Sequence, residues 1–496
     1  MLLIIRSITF FVLIKCAFAV QSPNLILINV DDLGWKDLGC YGSDVYETPN
    51  IDKLARNGLK FTNAYSACAV CSPTRAAIMT GRYPARLGVT DWIRARFQGG
   101  KIPKDKKNPS GWVGSKNKKV LCPQNALWME LEEVTIAEKL KEDGYATCHI
   151  GKWHLGADDW YPEKQGFDEN YGGCDYGQPP SYFDPFKNKR LDGIYGLPGK
   201  KQGQYLTDRE CDEAVMFIKK NRQKKFFLNF ANYAVHTPIQ AKPSLLDKYK
   251  TKIQSLDTKQ KNAAYATMVE SVDQAVGRII TILKEEGIFD RTLIIFTSDN
   301  GGLLGVTNNA PLRSGKGFPY EGGIRVPLII FWPDFINGGK VIDTPVSSID
   351  FFPTLCSAAG IKNSTDKAVD GLNLLPLFRG ENNIKRQSLF WHFPHYRGKI
   401  NPYSIIRNGD WKLIKRYDGK PFELFNLKND LSEKNDLSQD MPEKVKELNE
   451  EIMIWLLKTK AKVPRANPDY ACHLYTSDAA DEGLGVDLGG RRIIKK

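Results

Sequence analysis

The sequence predicts an α/β protein: a large domain whose central, mostly parallel sheet is sandwiched by helices, followed by a small antiparallel sheet with one helix. Three observations lead there. Short, nearly continuous apolar runs recur at 25–30 (LILINV), 225–233 (KFFLNFANY), 292–297 (TLIIFT) and 326–332 (VPLIIFW), the pattern of strands buried on both faces. Helical periodicity intervenes at 51–57, 134–142 and 265–286. In the last, Met268, Val272, Val276, Ile279 and Leu283 recur at helical spacing. From about residue 383 the texture changes to short alternating segments at 388–393, 403–417 and 422–427, with an Asn408-Gly409 turn signal. A closing helix near 442–460 carries Val445, Leu448, Ile452 and Leu456 on one face.

Strands that alternate with helices imply a parallel sheet covered on both sides, and ligands of such sheets bind beyond the carboxyl ends of the strands. The first strand ends in Asp31-Asp32, and the strand at 292–297 runs into Ser298-Asp299-Asn300-Gly301-Gly302. Three carboxylates and an amide oxygen form a hard oxygen set suited to Ca²⁺ or Mg²⁺ rather than zinc. Taken alone, an Asp-Asp pair is more often a turn or a helix cap.

The stretch 71–82 (CSPTRAAIMTGR) reads as a helix. Pro73 suits its first turn, Ala76 to Met79 propagate it and Gly81 ends it. Cys71 then sits at the helix N-terminus, where backbone N–H groups favour an anion and a thiol is activated as a nucleophile. For a lone exported cysteine the ordinary alternative is half of a disulfide.

These residues resemble the maturation motif of the type I sulfatases of the alkaline-phosphatase-like superfamily, Cys-x-Pro-x-Arg followed by Thr-Gly, matched by Cys71, Pro73, Arg75, Thr80 and Gly81. Further matches follow in the family's order: 24–34 (NLILINVDDLG), 48–52 (TPNID), 151–156 (GKWHLG), 297–302 (TSDNGG) and 316–325 (KGFPYEGGIR). The resemblance spans residues 23 to about 460. It implies an alkaline-phosphatase-like large domain and oxidation of Cys71 to formylglycine, whose hydrate is the nucleophile, by a formylglycine-generating enzyme during maturation. It further implies that Asp31, Asp32, Cys71, Asp299 and Asn300 hold one divalent cation, Ca²⁺ with Mg²⁺ as the alternative. By the same resemblance Arg75 holds the hydrate, while Lys152, His154, His236 and Lys316 surround the sulfate. His236, with Lys316, protonates the departing alcohol, and His154 deprotonates the second hydroxyl to expel sulfate. A cation and cationic side chains aimed at the growing charge lower such a barrier electrostatically.

Of six histidines, His154 and His236 lie inside these motifs. His149, in an apolar TCHI run, is expected to be structural, and His392 and His395 are placed beside the cleft from the small region.

The composition, 42% hydrophobic and 26% charged, excludes a disordered tail, a collagen-like repeat and a polytopic membrane protein. At roughly 150 residues per domain, 496 residues allow about three domains, which the motifs reduce to two, 20–382 and 383–471. Residues 1–19 carry Arg6, an apolar stretch and a small-residue exit at Ala17-Phe18-Ala19, the form of a cleaved secretory signal. The apolar run, broken by Arg6 and Lys15, is too short to span a bilayer. A secreted or lysosomal fate is expected. Residues 472–496 lack apolar period and resemble the translation of a sequencing-library adapter, so they are expected to have no fold. An exported chain should oxidise the cysteines it can, and Asn363-Ser364-Thr365 is the only glycosylation sequon.

The formal charge is +13. Nine Lys or Arg against Asp91 and Asp105 fall between 91 and 120, and Lys187, Lys189, Arg190, Lys200 and Lys201 form a second patch with Tyr182, Phe183, Phe186 and Tyr195 nearby. The first loop is either a solvated variable segment or a rim that draws in a polyanionic sulfated polysaccharide. The substrate expected is a sulfated small molecule or polysaccharide, with no nucleic acid and no membrane span. Two other readings compete. One is a phosphate or phosphonate monoester hydrolase of the same superfamily, disfavoured by the Cys71 motif and the scarcity of histidines. The other is a catalytically inactive secreted polyanion-binding protein, which predicts unmodified Cys71 and ligand binding unchanged by Cys71→Ala.

Overall fold

The computed structural model describes residues 22–362, 366–381 and 384–470. The expected signal at 1–19, the adapter-like tail, the Asn363 sequon and the boundary at 382/383 lie outside the described residues. The first apolar run forms β1 (Asn24–Val30), buried at every position. Its side chains alternate between two cores: Ile26, Ile28 and Val30 enter one, Leu25 and Leu27 the other, as the two-residue period of a strand requires.

The remaining strands of the large sheet are β2 (Leu59–Phe61), β3 (Ala146–Gly151), β4 (Glu169–Tyr171), β5 (Phe226–Ala231), β6 (Thr292–Ser298), β7 (Leu328–Phe331) and β8 (Lys340–Ile342). Across the sheet they run in the order β8-β2-β7-β6-β1-β5-β3-β4. Pairing is parallel except for β7, which is antiparallel to both neighbours. β1 and its neighbours β5 and β6 therefore deliver their carboxyl ends to one edge.

On one face pack α1 (Pro49–Asn57), α4 (Leu206–Asn221), α5 (Pro243–Ser255) and α6 (Ala263–Glu285); on the other lie α2 (Cys71–Thr80), α3 (Ile136–Glu142) and α7 (Phe351–Ala358). The α3 helix opens with a Thr135–Glu138 capping box, which satisfies two N-terminal donors reciprocally. The small sheet is an antiparallel meander of β9 (Ser388–Phe393), β10 (Tyr403–Asn408), β11 (Trp411–Arg416) and β12 (Glu423–Asn426). Gly409 takes the first loop position between β10 and β11 with φ 56°, where a side chain would be strained.

The meander fixes the segment that leads into α2. Leu389, Trp391, Ile405 and Phe425 share a core with Tyr65, Cys68 and Val70, while Ile406, Leu413 and Leu424 pack with Ala77 and with Leu448, Ile452 and Trp455 of α8 (Pro442–Lys458). The expected disulfides are absent among the described residues, where all eight cysteines are free. Cys148 and Cys211 sit in one core, Cys356 in a second and Cys68 in a third, acting as small apolar groups.

Candidate active site

α2 is buried along its whole length and ends at Gly81 in the left-handed region, φ 68°, so its N-terminal residue Cys71 is held rigidly. The Cys71 Sγ lies 3.3 Å from His154 Nδ1, and His154 Nε2 lies 2.7 Å from the Ile93 carbonyl oxygen. A carbonyl only accepts, so the proton sits on Nε2 and Nδ1 presents a lone pair to position 71. Burial, reinforced first by Lys152, pushes the His154 ring well below the ordinary histidine range, which keeps this neutral tautomer. Ser72 Oγ donates to the His154 carbonyl and accepts from Ile93 N–H, each at 2.9 Å.

Both His154 (φ 61°) and Asp32 (φ 65°) occupy the left-handed region. Such a conformation costs on the order of 1–3 kcal/mol for a non-glycine residue and concentrates at functional sites. Gly177 allows the ring to stand where it does: a Cβ there would lie 2.7 Å from His154 Cε1.

The carboxylates gather where β1 and β6 end. Lys152 Nζ donates to Asp31 at 2.6 Å, Lys316 Nζ to Asp32 at 2.7 Å, and Arg75 Nε to Asp299 at 2.8 Å. Arg75 also donates to the Lys152 carbonyl at 2.7 Å. Three carboxylates are thus matched one for one by three cations. Burial raises Asp31 and pushes Asp299 up to about 6. Burial would raise Asp32 too, but Lys316 foremost outweighs it and holds that carboxyl below its usual range. Asp32 in turn outweighs burial at Lys316 and raises its ammonium.

His236, beyond β5, is carried beside Asp32 by two backbone hydrogen bonds, Asp31 N–H to Ala234 O at 2.9 Å and Val235 N–H to Asp31 O at 2.7 Å. Its Nε2 is 3.6 Å from Asp32 Oδ2, and one ligand atom each of Asp31, Asp32 and His236 falls within a 4.8 Å cluster. Burial, with Lys316 next, pushes its ring down to about 3.

A divalent cation fits these residues. Asn300 Nδ2 donates to Asp32 at 2.8 Å and to the Gly301 carbonyl at 3.0 Å, which fixes the amide orientation. Its Oδ1 and the Oδ1 of Asp31 are left buried without a hydrogen bond, a costly state unless another partner is supplied. Carboxylate and amide oxygens are the hard donors that suit Ca²⁺ or Mg²⁺.

The structure therefore gathers Asp31, Asp32, Asp299, Asn300, Arg75, Lys152, His236 and Lys316 into one hydrogen-bonded and ion-paired cluster, with Cys71 and His154 paired at its side. Sequence reasoning missed Ser72, Gly177 and the Ile93 carbonyl; it assigned His236 to the sulfate, and the structure sets its ring beside Asp32. Among the described residues, His392 and His395 hydrogen-bond to none of the clustered side chains. Both are buried, with His392 bonded to Ser404 and the Lys462 carbonyl and His395 to Thr90. His149 is a buried strand residue paired with Asn229.

Residues 23–361 match the sulfatase family model. The chain belongs to the sulfatase family. Residues 314–462 also match the C-terminal model of N-sulphoglucosamine sulphohydrolase. A sulfatase of Formosa agariphila is 35% identical, covering 89% of this chain and 90% of that protein. The N-acetylgalactosamine-6-sulfatase of Homo sapiens is 34% identical, covering 79% of this chain and 74% of that one. Among solved structures, Ps i-CgsB superposes with a TM-score of 0.73 at 34% identity, covering 88% of this chain and 94% of that one. This sulfatase is thus a type I member of the alkaline-phosphatase-like superfamily and an enzyme that hydrolyses sulfate esters. No helix among its described residues is long and apolar enough to cross a membrane.

Proposed function

We propose that this sulfatase releases sulfate from sulfated saccharides, using a nucleophile made from Cys71 in a pocket that holds one divalent cation. The observation that carries the reading is the fixed tautomer of His154, a neutral base aimed at position 71 from 3.3 Å.

Oxidised to formylglycine by a formylglycine-generating enzyme, position 71 would supply the nucleophile as an aldehyde hydrate. Asp31, Asp32, Asp299 and Asn300 would hold Ca²⁺ or Mg²⁺, which would offset charge on the sulfate oxygens. The chain's own residues do the rest. His154 Nδ1 accepts a proton at position 71. Arg75, bonded to Asp299 and the Lys152 carbonyl, orients that position against the carboxylates. Lys152 and Lys316 place positive charge around a bound sulfate, where burial excludes water and strengthens the attraction. Lys316 and His236 stand together over Asp32, and Lys316, kept as an ammonium by Asp32, delivers the proton to the departing alcohol beside the neutral His236 ring.

Saccharide substrates are favoured by the company the chain keeps: Ps i-CgsB has been solved with k-i-k-neocarrahexaose, and the mammalian relatives include N-acetylgalactosamine-6-sulfatases beside a steryl-sulfatase and an arylsulfatase A. Within this reading 20–382 is the catalytic unit and 383–471 a small subdomain, and the chain passes through the secretory pathway. A phosphonate monoester hydrolase shares the fold with a TM-score of 0.63 at 19% identity, a likeness of fold alone. Rates on 4-nitrophenyl sulfate and 4-nitrophenyl phosphate, measured side by side, test the reading. Sulfate is the preferred substrate; preference for phosphate overturns it.

A further inference from the structure

Next to the Cys71–His154 pair lies a cationic position that the sulfate pocket does not use. The Trp92 ring is 6.5 Å from the His154 ring. Two guanidiniums lie close to Trp92, that of Arg94 at 5.9 Å and that of Arg397 at 5.5 Å from the ring centroid. Among the described residues Asp91 is the carboxylate paired there, 3.7 Å from Arg397 Nη1, and Nη1 makes no hydrogen bond. Arg397 comes from the small subdomain. A turn closed by Arg397 N–H to Ile400 O at 2.9 Å and Ile400 N–H to Arg397 O at 2.8 Å carries it. Ile400 of that turn packs where a Cβ on Gly317 would stand, at 2.4 Å, directly after the pocket residue Lys316. Arg397 is near enough to oppose the charge on Lys316.

We propose that Arg94 and Arg397, both within 6 Å of the Trp92 ring, bind a second anionic group of the substrate, a carboxylate or sulfate on the sugar adjoining the scissile sulfate ester. The proposal rests on the saccharide reading above and deepens it to polyanionic saccharides. Two guanidiniums facing one carboxylate leave a local excess of positive charge, and a planar guanidinium takes a carboxylate or sulfate in bidentate fashion. Because the two arginines come from separate parts of the chain, the position exists only when the small subdomain is docked on the large one.

The test uses the matured, cation-loaded full chain hydrolysing 4-nitrophenyl sulfate. Competing inhibitors are inorganic sulfate, a chondroitin 6-sulfate hexasaccharide carrying carboxylates and sulfates, and a galacturonate hexamer carrying carboxylates alone. Arg397→Gln and Arg94→Gln should each weaken hexasaccharide inhibition at least about tenfold while inorganic sulfate changes less than about threefold, the signature of one lost charge-assisted contact. Arg397→Lys should recover part of the loss. A parallel loss for the galacturonate hexamer assigns the position to carboxylates, and loss for the sulfated hexasaccharide alone assigns it to sulfate. Unchanged hexasaccharide inhibition in both variants overturns the proposal, as does an equal loss for inorganic sulfate. A wild-type chain unable to hydrolyse 4-nitrophenyl sulfate would remove the sulfatase reading itself, and the proposal with it.

Discussion

Cys71 and His154 face one another at 3.3 Å, and the hydrogen bond from His154 Nε2 to the Ile93 carbonyl decides which nitrogen does the facing. A histidine held this way is a base toward position 71 and toward nothing else. Replacing it with Gln keeps a polar side chain but removes the titratable nitrogen. His154→Gln should lower kcat by about 10²–10⁴-fold, the usual worth of a positioned base, with formylglycine at position 71 still detectable by peptide mass spectrometry. Unchanged turnover in a fully matured variant would contradict the role.

Gly177 tests the same geometry without touching a titratable group. Its substitution by Ala places a methyl 2.7 Å from His154 Cε1 and 2.8 Å from Nε2, so the ring must move off the Ile93 carbonyl. A displacement of this size at a reacting group is expected to reduce kcat by about ten- to a hundredfold. Circular dichroism should show an intact fold, and wild-type kcat in Gly177→Ala would mean that the ring position is not critical.

The carboxylates were legible because each follows a strand whose apolar run announces itself, as Asp31-Asp32 follows 25–30 and Asp299 follows 292–297, while Cys71, Arg75 and Lys316 were legible only through the motifs that hold them. The left-handed turns at Asp32 and His154 were not legible, since nothing in a single sequence marks a non-glycine residue as strained. Ile93, Gly177 and Arg397 reach the site across long stretches of chain, so their part depends on how loops and the small sheet dock. The α4 and α5 helices escaped notice for another reason. In α5 only Tyr249 is buried, and the apolar stripe of α4 is interrupted by Arg209, Glu210 and Glu213, all three buried.

A cation bound at the unsatisfied oxygens of Asp31 and Asn300 would stabilise the fold as well as serve the proposed chemistry. Treatment with a chelator should abolish turnover and lower the melting temperature, and Ca²⁺ or Mg²⁺ should restore both. Cation at a hundred times its Kd adds about 2.7 kcal/mol. Asp31→Asn should show no such cation-dependent shift. Restoration by Zn²⁺ in preference to either hard cation would argue against the oxygen set.

A stability measurement addresses the small sheet. Burial pushes the His392 ring down to about 4 from an ordinary value near 6.5, so the folded state keeps it neutral while the unfolded chain takes up a proton. Its contribution is intact above about pH 6.5 and is lost as the pH falls through about 4, on the order of 3 kcal/mol in full. His392→Gln should melt lower than wild type at pH 7 yet lose less between pH 7 and pH 4.5. Identical losses for the two proteins would mean that another group carries the acid sensitivity.

The nucleophile remains the centre of the account. Peptide mass spectrometry of the segment containing Cys71, taken from enzyme that is turning over 4-nitrophenyl sulfate, measures it directly. The account predicts formylglycine at position 71, in proportion to the active fraction of the preparation. A free Cys71 thiol throughout a fully active preparation would contradict it.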